Sequence, residues 1–420
     1  MRWTELAELQ RQPLDAKIDT AMAVLLQAFA AATRPAIAFS GGKDSTVLLH
    51  MIREVYPHKL AAGMPVIYNN TGMEFPECIR FARRLAADWR FRLVEAKPGQ
   101  TQTPTYRYAG QQRIWKHLCS TGEIAQCLTP DGRLKNLSYL EAFCPGWLAI
   151  ELERDRLVWP TGTLMGYWWC VDQYGWPLLG KAWSRLDARR INIDTFLRFS
   201  HSNSDKPELL AYYEVLKQVK VSQHCCYRLK KQPAERTQET LGVDLIFKGL
   251  MASESRSRAI NFMTRGHLFA SKRPHADPFY HCQPLATWTD EDIWSYIHRY
   301  NVPYAPLYDM TYMALDGTRQ KVRRNGCMGC ATDLAYRDNH LRVLRQTHPA
   351  AWRVIMKKGL AEQIRNLQLA LRKGHQMTIF DVFPVDELVD VQPCVFDDLD
   401  GTGGQPAPGD GDVYDPEVLE

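Results

Sequence analysis

Pro35-Ala36-Ile37-Ala38-Phe39-Ser40-Gly41-Gly42-Lys43-Asp44-Ser45 decides how this chain folds. The apolar run Pro35 to Phe39 reads as a buried strand, and Thr46 to Glu54 continues as a helix. Between them the glycines let the backbone turn tightly, so consecutive N–H groups converge on one point at a helix N-terminus. Lys43 adds a full positive charge, and Ser40 and Ser45 add hydroxyl donors. Strand, Gly-rich turn and helix start, in that order, build a cradle for phosphate or pyrophosphate. It is not a Walker A loop: no glycine precedes Lys43 at the required spacing, and the turn is shorter. The bland alternative is a solvated turn with a chance lysine.

The rest of the chain continues the pattern. Leu14 to Thr33 is apolar at helical spacing and precedes the first strand. After the loop come a strand at Met64–Asn69, a helix at Phe75–Asp88 and a strand at Phe91–Glu95, with a further strand at Val243–Lys248. Strands alternating with helices predict an α/β fold on a parallel sheet, its ligand at the carboxyl ends of the strands. Residues 98–200 interrupt this order and hold seven of the twelve tryptophans. They read as an insertion or lid whose aromatic rings either stack on bases or form a small core. The expected division is 1–97 as the nucleotide-binding half, 98–200 as the Trp-rich insertion, 201–375 as the second half, and 376–420 as a tail.

Composition narrows the function. At 45% apolar and 24% charged the chain reads as globular. It has no run near the roughly 18 apolar residues of a membrane span. The N-terminus shows no secretory pattern, so a cytoplasmic protein without a membrane partner is expected. Eleven cysteines in that setting point to metal ligation or thiol chemistry rather than disulfides. The net charge of +5 hides a division: no Lys or Arg follows Lys373, whereas Asp381 to Glu420 holds 12 acids. Residues 1–373 therefore carry a net +17 and expect an anionic partner, nucleotide or nucleic acid. The acidic tail has the composition of a disordered segment, either solubilising or able to fold back over the basic face.

SGGKDS in this setting resembles the PP-loop of ATP pyrophosphatases and of the phosphoadenosine-phosphosulfate (PAPS) reductase family. Five further segments match that family in order. Asn70-Thr71-Gly72-Met73-Glu74-Phe75-Pro76-Glu77 looks like its second nucleotide loop, with Asn70 where the family has Asp. Thr71 and Gly72 would line the pocket, and Glu74 or Glu77 would cap the next helix. Tyr174 to Lys181 resembles a GxPxxxK stretch, and His224-Cys225-Cys226-Tyr227-Arg228-Leu229-Lys230 to Pro233 a CCxxxKxxP element. Gly249 to Arg258 resembles GxRxxESxxR; Met251 replaces its first Arg, while Glu254, Ser255 and Arg258 remain. Arg258 can grip phosphate or sulfate by a two-pronged charged hydrogen bond. Gly326-Cys327-Met328-Gly329-Cys330, after Pro284 to Tyr308, resembles the C-terminal part. The resemblance implies a Rossmann-like, adenine nucleotide alpha-hydrolase-like sheet with a helical C-terminal part.

Cys225-Cys226 and Cys327-x-x-Cys330 bring four thiols in two pairs, the requirement of zinc or an iron–sulfur cluster. Adjacent cysteines in a strand would point apart; at a helix end or bend they could reach different irons. The resemblance implies a [4Fe–4S] ligand set, with zinc or no metal as alternatives. Lys230, Arg228 and His224 would set positive charge beside it. The family's reductases use a cysteine in an ECGLH-like motif, absent here. Cys394 is the last cysteine, and Asp390, Asp397 and Asp398 should raise its pKa.

The candidate catalytic residues are therefore Lys43, Asp44 and Arg258. Ser40, Gly41, Gly42, Lys43, Asp44, Ser45, Thr71, Gly72, Glu254, Ser255 and Arg258 are candidate nucleotide contacts, with Mg2+ as an accompanying ion. The leading reading is an ATP enzyme that cleaves at the α-phosphate to activate a target for sulfur transfer. Basic runs at Arg185–Arg190, Arg256–Arg273 and Lys321–Arg324 favour a nucleic-acid target. The second reading is a reductase of PAPS or adenylyl sulfate that draws its thiol from a sulfur donor or thioredoxin-like protein. The third is a nucleotide-dependent regulator that catalyses nothing.

Overall fold

In the computed structural model, which describes residues 1–102, 120–122, 124–127, 159–177, 222, 224–332 and 339–364, the apolar run before the Gly-rich turn forms β1 (Pro35–Phe39). Alternation along β1 buries side chains on both faces, as a central parallel strand requires. It is flanked by β2 (Val66–Asn69), then β3 (Leu93–Ala96), on one side, and by β4 (Leu245–Lys248) on the other. A hairpin of β5 (Leu268–Arg273) and β6 (Ala276–Cys282) completes a six-stranded sheet in the order β3-β2-β1-β4-β6-β5. Only β5 runs antiparallel; Ile37 pairs with Val66 on one side and Phe247 on the other. The sheet is the expected α/β parallel type. The chain leaves β1 toward β2 but returns on its other side as β4, so the crevice between their carboxyl ends is the topological switch point.

Helices Leu14–Ala31, Lys43–Val55 and Pro76–Trp89 bury Leu25, Leu48 and Phe81 in one core with Ile37, Phe39 and Phe247. A smaller cluster of Ala36, Ile67, Ile246 and Phe279 occupies the opposite face. There the helix Gln232–Thr240 packs across β2 and β3. The strands begin up to two residues later than the pattern predicts, while the β5–β6 hairpin is not anticipated at all. Its residues, Leu268 to Cys282, mix Lys, Arg and His with the apolar positions and hide the alternation. A small β7 (Thr311–Met313) and β8 (Arg319–Lys321) hairpin follows the helix Asp290–Tyr300. Helices His340–Thr347 and Pro349–Ile355 close the described chain.

Of the Trp-rich insertion, Tyr167, Trp169 and Trp176 are buried within the main core rather than forming an open stacking surface. Trp115, Trp147 and Trp183 lie outside the described residues, as do Arg185–Arg190, Cys394 and the 376–420 tail. No described helix is long and apolar enough to cross a membrane.

Lys17 anchors the helices behind the sheet. Although 2% exposed, it donates to Asp292 Oδ2 at 2.5 Å and to the Gln10 carbonyl at 2.7 Å. Asp292 also caps its own helix by accepting from Thr289 N at 2.7 Å. Asp292→Ala strands a buried ammonium and should cost about 3–5 kcal/mol. A urea titration should show the lower midpoint at unchanged slope.

Candidate nucleotide and thiol site

Gly41 takes φ +67°, a left-handed conformation that turns β1 directly into the helix Lys43–Val55. A Cβ there would also press on the Cys78 carbonyl at 3.1 Å. Ser45 braces the turn from within: its hydroxyl donates to the Gly42 carbonyl at 2.9 Å and accepts from Ser40 N at 3.2 Å. Ser45 is thus a strut of the loop, a different role from the free donor expected of it. Ser40, by contrast, is exposed, and its Oγ accepts from Gly42 N at 3.2 Å.

Lys43 is 4% exposed, with its amine 2.8 Å from Asp290 Oδ1 and 3.2 Å from Asp44 Oδ1. Burial raises the Asp44 pKa, opposed by the Lys43 charge. Tyr308 accepts from Lys43 N at 3.2 Å, and Asn325 Nδ2 donates to the Ser40 carbonyl at 3.1 Å. Asn325 lies close enough to Gly42 that a Cβ there would meet its amide oxygen at 2.9 Å. Asp290 and Asn325 are not singled out by the sequence reading. The only signal for Asp290 is its place in the acidic helix start Asp290-Glu291-Asp292.

Two further loops meet this one. Gly249, just after β4, faces the helix start so closely that a Cβ would come within 2.9 Å of the Asp44 carbonyl oxygen. Gly249→Ala should therefore push the β1 and β4 loops apart at a cost of about 1–3 kcal/mol. Nucleotide affinity should fall with it, as equilibrium dialysis would register. Beyond Gly249, Ser255 Oγ accepts from Arg258 N at 3.3 Å and caps the helix Arg256–Arg265. Glu254 pairs with the Arg258 guanidinium and also accepts from Met251 N at 3.1 Å. Burial lowers the Arg258 pKa, while Asp44 raises it and Arg324 lowers it further, so charges from three loops act on one place. Met251 itself is buried and contributes no charge.

The second candidate nucleotide loop follows β2. Glu74 accepts from Thr71 N at 2.9 Å and Thr71 Oγ1 at 2.7 Å, closing its own turn instead of capping the next helix. Glu77 accepts from His348 at 3.1 Å and pairs with Arg80. Gly72, at φ +76°, has nothing within 4 Å of where a Cβ would stand and borders open space. Asn70 performs the turn that a carboxylate would: Oδ1 accepts from Gly72 N at 3.1 Å. Its amide donates to Glu95 at 2.9 Å, where an Asp would repel.

The CxxC segment meets this loop directly. Cys225 and Cys226 lie in a helical turn, His224–Cys226, that widens at Tyr227–Lys231, so they occupy a bend and not a strand. Cys225 is buried and Cys226 exposed. Thr71 Oγ1 lies 3.7 Å from Cys327 Sγ, Met328 N donates to the Met73 carbonyl at 2.7 Å, and Glu74 pairs with Cys327 in an isolated bridge. Lys230 hydrogen-bonds to Cys327, whose charge raises the lysine pKa most. Arg228 turns instead to Tyr174 and Gln232. Cys225 feels Cys226 and Cys327, and Cys330 feels Cys327 and Cys226. Burial pushes Cys330 up to about 11. Such thiols become thiolates only when a cation joins them. Among the described residues no three His, Cys, Asp or Glu side chains are placed to close on one metal ion.

Tyr167 is a participant that sequence did not flag. Its hydroxyl donates to the Gly329 carbonyl at 2.5 Å, and a Cβ on Gly329 would stand 2.4 Å from its ring. Glycine within CxxC is what admits that ring.

The family model described as the phosphoadenosine phosphosulfate reductase domain matches residues 34–135 and 188–332. Similar curated proteins include the phosphoadenosine 5'-phosphosulfate reductases of Xylella fastidiosa (strain M23), 31% identical over 86 residues, and Xanthomonas oryzae pv. oryzae (strain PXO99A), 33% identical over 86. Each alignment covers 20% of this chain and 32% of the relative, so the chain spans about a third of their length. Among solved structures, phosphoadenylyl-sulfate reductase from Candida auris, a phosphate complex, overlays with TM-score 0.32 at 13% identity. That overlay covers 74% of this chain and 92% of the other. Candida glabrata FMN adenylyltransferase gives 0.31 at 12% identity, covering 76% and 67%. Both overlays are too loose to fix residue correspondences.

Proposed function

This chain belongs to the phosphoadenosine phosphosulfate reductase family, and from that premise we propose that it is an adenine-nucleotide enzyme of sulfur metabolism. In our reading ATP lies in the switch-point crevice, its phosphates over Ser40–Lys43 and facing Arg258. Asp44, with Asp290 beside it, would hold an accompanying Mg2+. A target oxygen attacks the α-phosphorus, pyrophosphate leaves, and the target is adenylylated; a sulfur nucleophile then displaces AMP. Lys43 and Arg258 offset the charge that develops on the phosphate oxygens. Cys225, Cys226, Cys327 and Cys330 would hold a [4Fe–4S] cluster, which when bound supplies a place for sulfur or electrons. Lys230 orients and charges that thiol wall.

The observation that carries this reading is the shared wall between the two halves of the site. Thr71 stands in the nucleotide loop and 3.7 Å from Cys327 Sγ. The carboxylates of Asp44 and Asp290 around Lys43 favour a metal-bound polyphosphate over a bare sulfonucleotide, which they would repel. Exposed Lys321, Arg323 and Arg324 beside the crevice support a nucleic-acid target.

Reduction of PAPS or adenylyl sulfate with an external, thioredoxin-like thiol is the second reading, favoured by the curated relatives. Product analysis separates the two. Anaerobic protein given ATP should release AMP and pyrophosphate; sulfite from a sulfonucleotide plus dithiol would support the reductase instead. Binding without either product would leave a regulator.

A further inference from the structure

Beyond the family motifs, the end of β4 holds a second basic group. Lys248 is the last residue of that strand, immediately before Gly249 and opposite Ala38 of β1. Its amine lies 3.1 Å from His281 Nδ1, and His281 Nε2 lies 2.8 Å from Ser271 Oγ. Phe269 stacks on the imidazole at 4.8 Å and 19°, fixing the ring. Burial and the neighbouring cations lower the His281 pKa to about 3, so the ring is neutral. Nδ1 then accepts from the ammonium and Nε2–H donates to Ser271.

The contrast with Lys43 is the informative part. Lys43 has two carboxylates on its amine. Lys248, half-buried, has no ion pair among the described residues and spends one of its three N–H groups on His281. Its surroundings are mostly cationic: Arg273 on β5, with Arg265 acting on His281 from the preceding helix. The one acid that acts on it, Glu235 of the helix Gln232–Thr240, already pairs with Arg273 at 3.4 Å. A desolvated cation without a counter-ion is costly, and an anion relieves that cost.

We propose that Lys248, steered by His281 and Ser271, anchors a second oxyanion site on the β4–β6–β5 sheet face, reaching from the end of β4 back toward Arg273, that takes one phosphate or sulfate group. The group is either carried by the nucleotide in the adjoining cradle or free in solution. The site does not depend on the reaction proposed above.

Trace acetylation of the full chain with acetic anhydride, read by peptide mass spectrometry across pH, tests this. Without anion, Lys248 should react with a midpoint at about 8, because burial and Arg273 favour the free amine. A bound anion favours the ammonium, and each unit of upward shift lowers the reactive fraction about tenfold below the midpoint. Inorganic phosphate or sulfate shifting the midpoint upward identifies a free oxyanion; a shift by ATP alone assigns the group to the nucleotide. Exposed Lys97 should not respond in either case. A Lys248 midpoint unmoved by phosphate, sulfate and ATP alike overturns the proposal. A phosphate shift in protein that releases no AMP from ATP would leave this site standing and remove only the reaction.

Discussion

Lys43→Ala should lower turnover by at least about a hundredfold, the scale seen when one preorganised charge-stabilising donor is lost. The variant loses more than a cation. Asp290 and Asp44, now 2.8 and 3.2 Å from the amine, would face the incoming polyphosphate as uncompensated acids. Asp44 already has its pKa raised by burial, and without Lys43 it would hold its proton to still higher pH. Among the described residues no other cation makes an ion pair with either acid. Lys43→Arg should not rescue: a planar fork does not fit a niche where the amine is 4% exposed. Asp290→Asn provides the opposite sign. Removing one counter-charge should leave metal-free nucleotide affinity equal or tighter, since the carboxylate no longer competes for the amine, while the gain in affinity that Mg2+ brings should shrink. Nucleotide binding by equilibrium dialysis, together with AMP release, reads both variants; unimpaired turnover in Lys43→Ala would detach this loop from the reaction.

How much of this was readable in the chain follows from the range of the interactions. The Gly-rich turn was legible because strand, Gly turn and helix start are contiguous, so local rules suffice. The turn falls at Ser40–Gly42, with Gly41 in the left-handed conformation that it needs, and the helix starts at Lys43, three residues before the expected Thr46. The CC and CxxC pairs were legible as types, but the approach of Cys327 to Thr71 is set by tertiary folding across 256 positions of chain. Asp290 was not legible, because its role exists only once the helix Asp290–Tyr300 docks beside Lys43. The β5–β6 hairpin was hidden for another reason. Lys248, His281 and Ser271 place polar groups on a sheet face where a pattern reading expects apolar ones. By position Glu74 or Glu77 fits a helix cap equally well; only the bonds of Glu74 to Thr71 and of Glu77 to His348 decide against both.

With the proposed cluster, anaerobically prepared protein should show iron–sulfur absorption, iron and sulfide that Cys327→Ser abolishes, whereas Cys282→Ala should keep all three. Oxygen is a poor replacement for thiolate at such a centre. Cys282, buried on β6, is only a small apolar filler there. Lys230→Met separates holding from tuning. Its ammonium hydrogen-bonds to Cys327 and brings positive charge to the thiols. With that charge gone, iron should be retained and the reduction potential should fall, because a nearby cation favours the more negative, reduced form. Thr71→Val then tests whether the two halves act as one site. In the native chain, ATP bound against the loop whose Thr71 hydroxyl bonds Glu74 and faces Cys327 should perturb the visible spectrum of the proposed cluster. In Thr71→Val the spectrum should remain while the nucleotide response disappears. A response of full size in that variant would mean that the shared wall does not couple the sulfurs to the nucleotide.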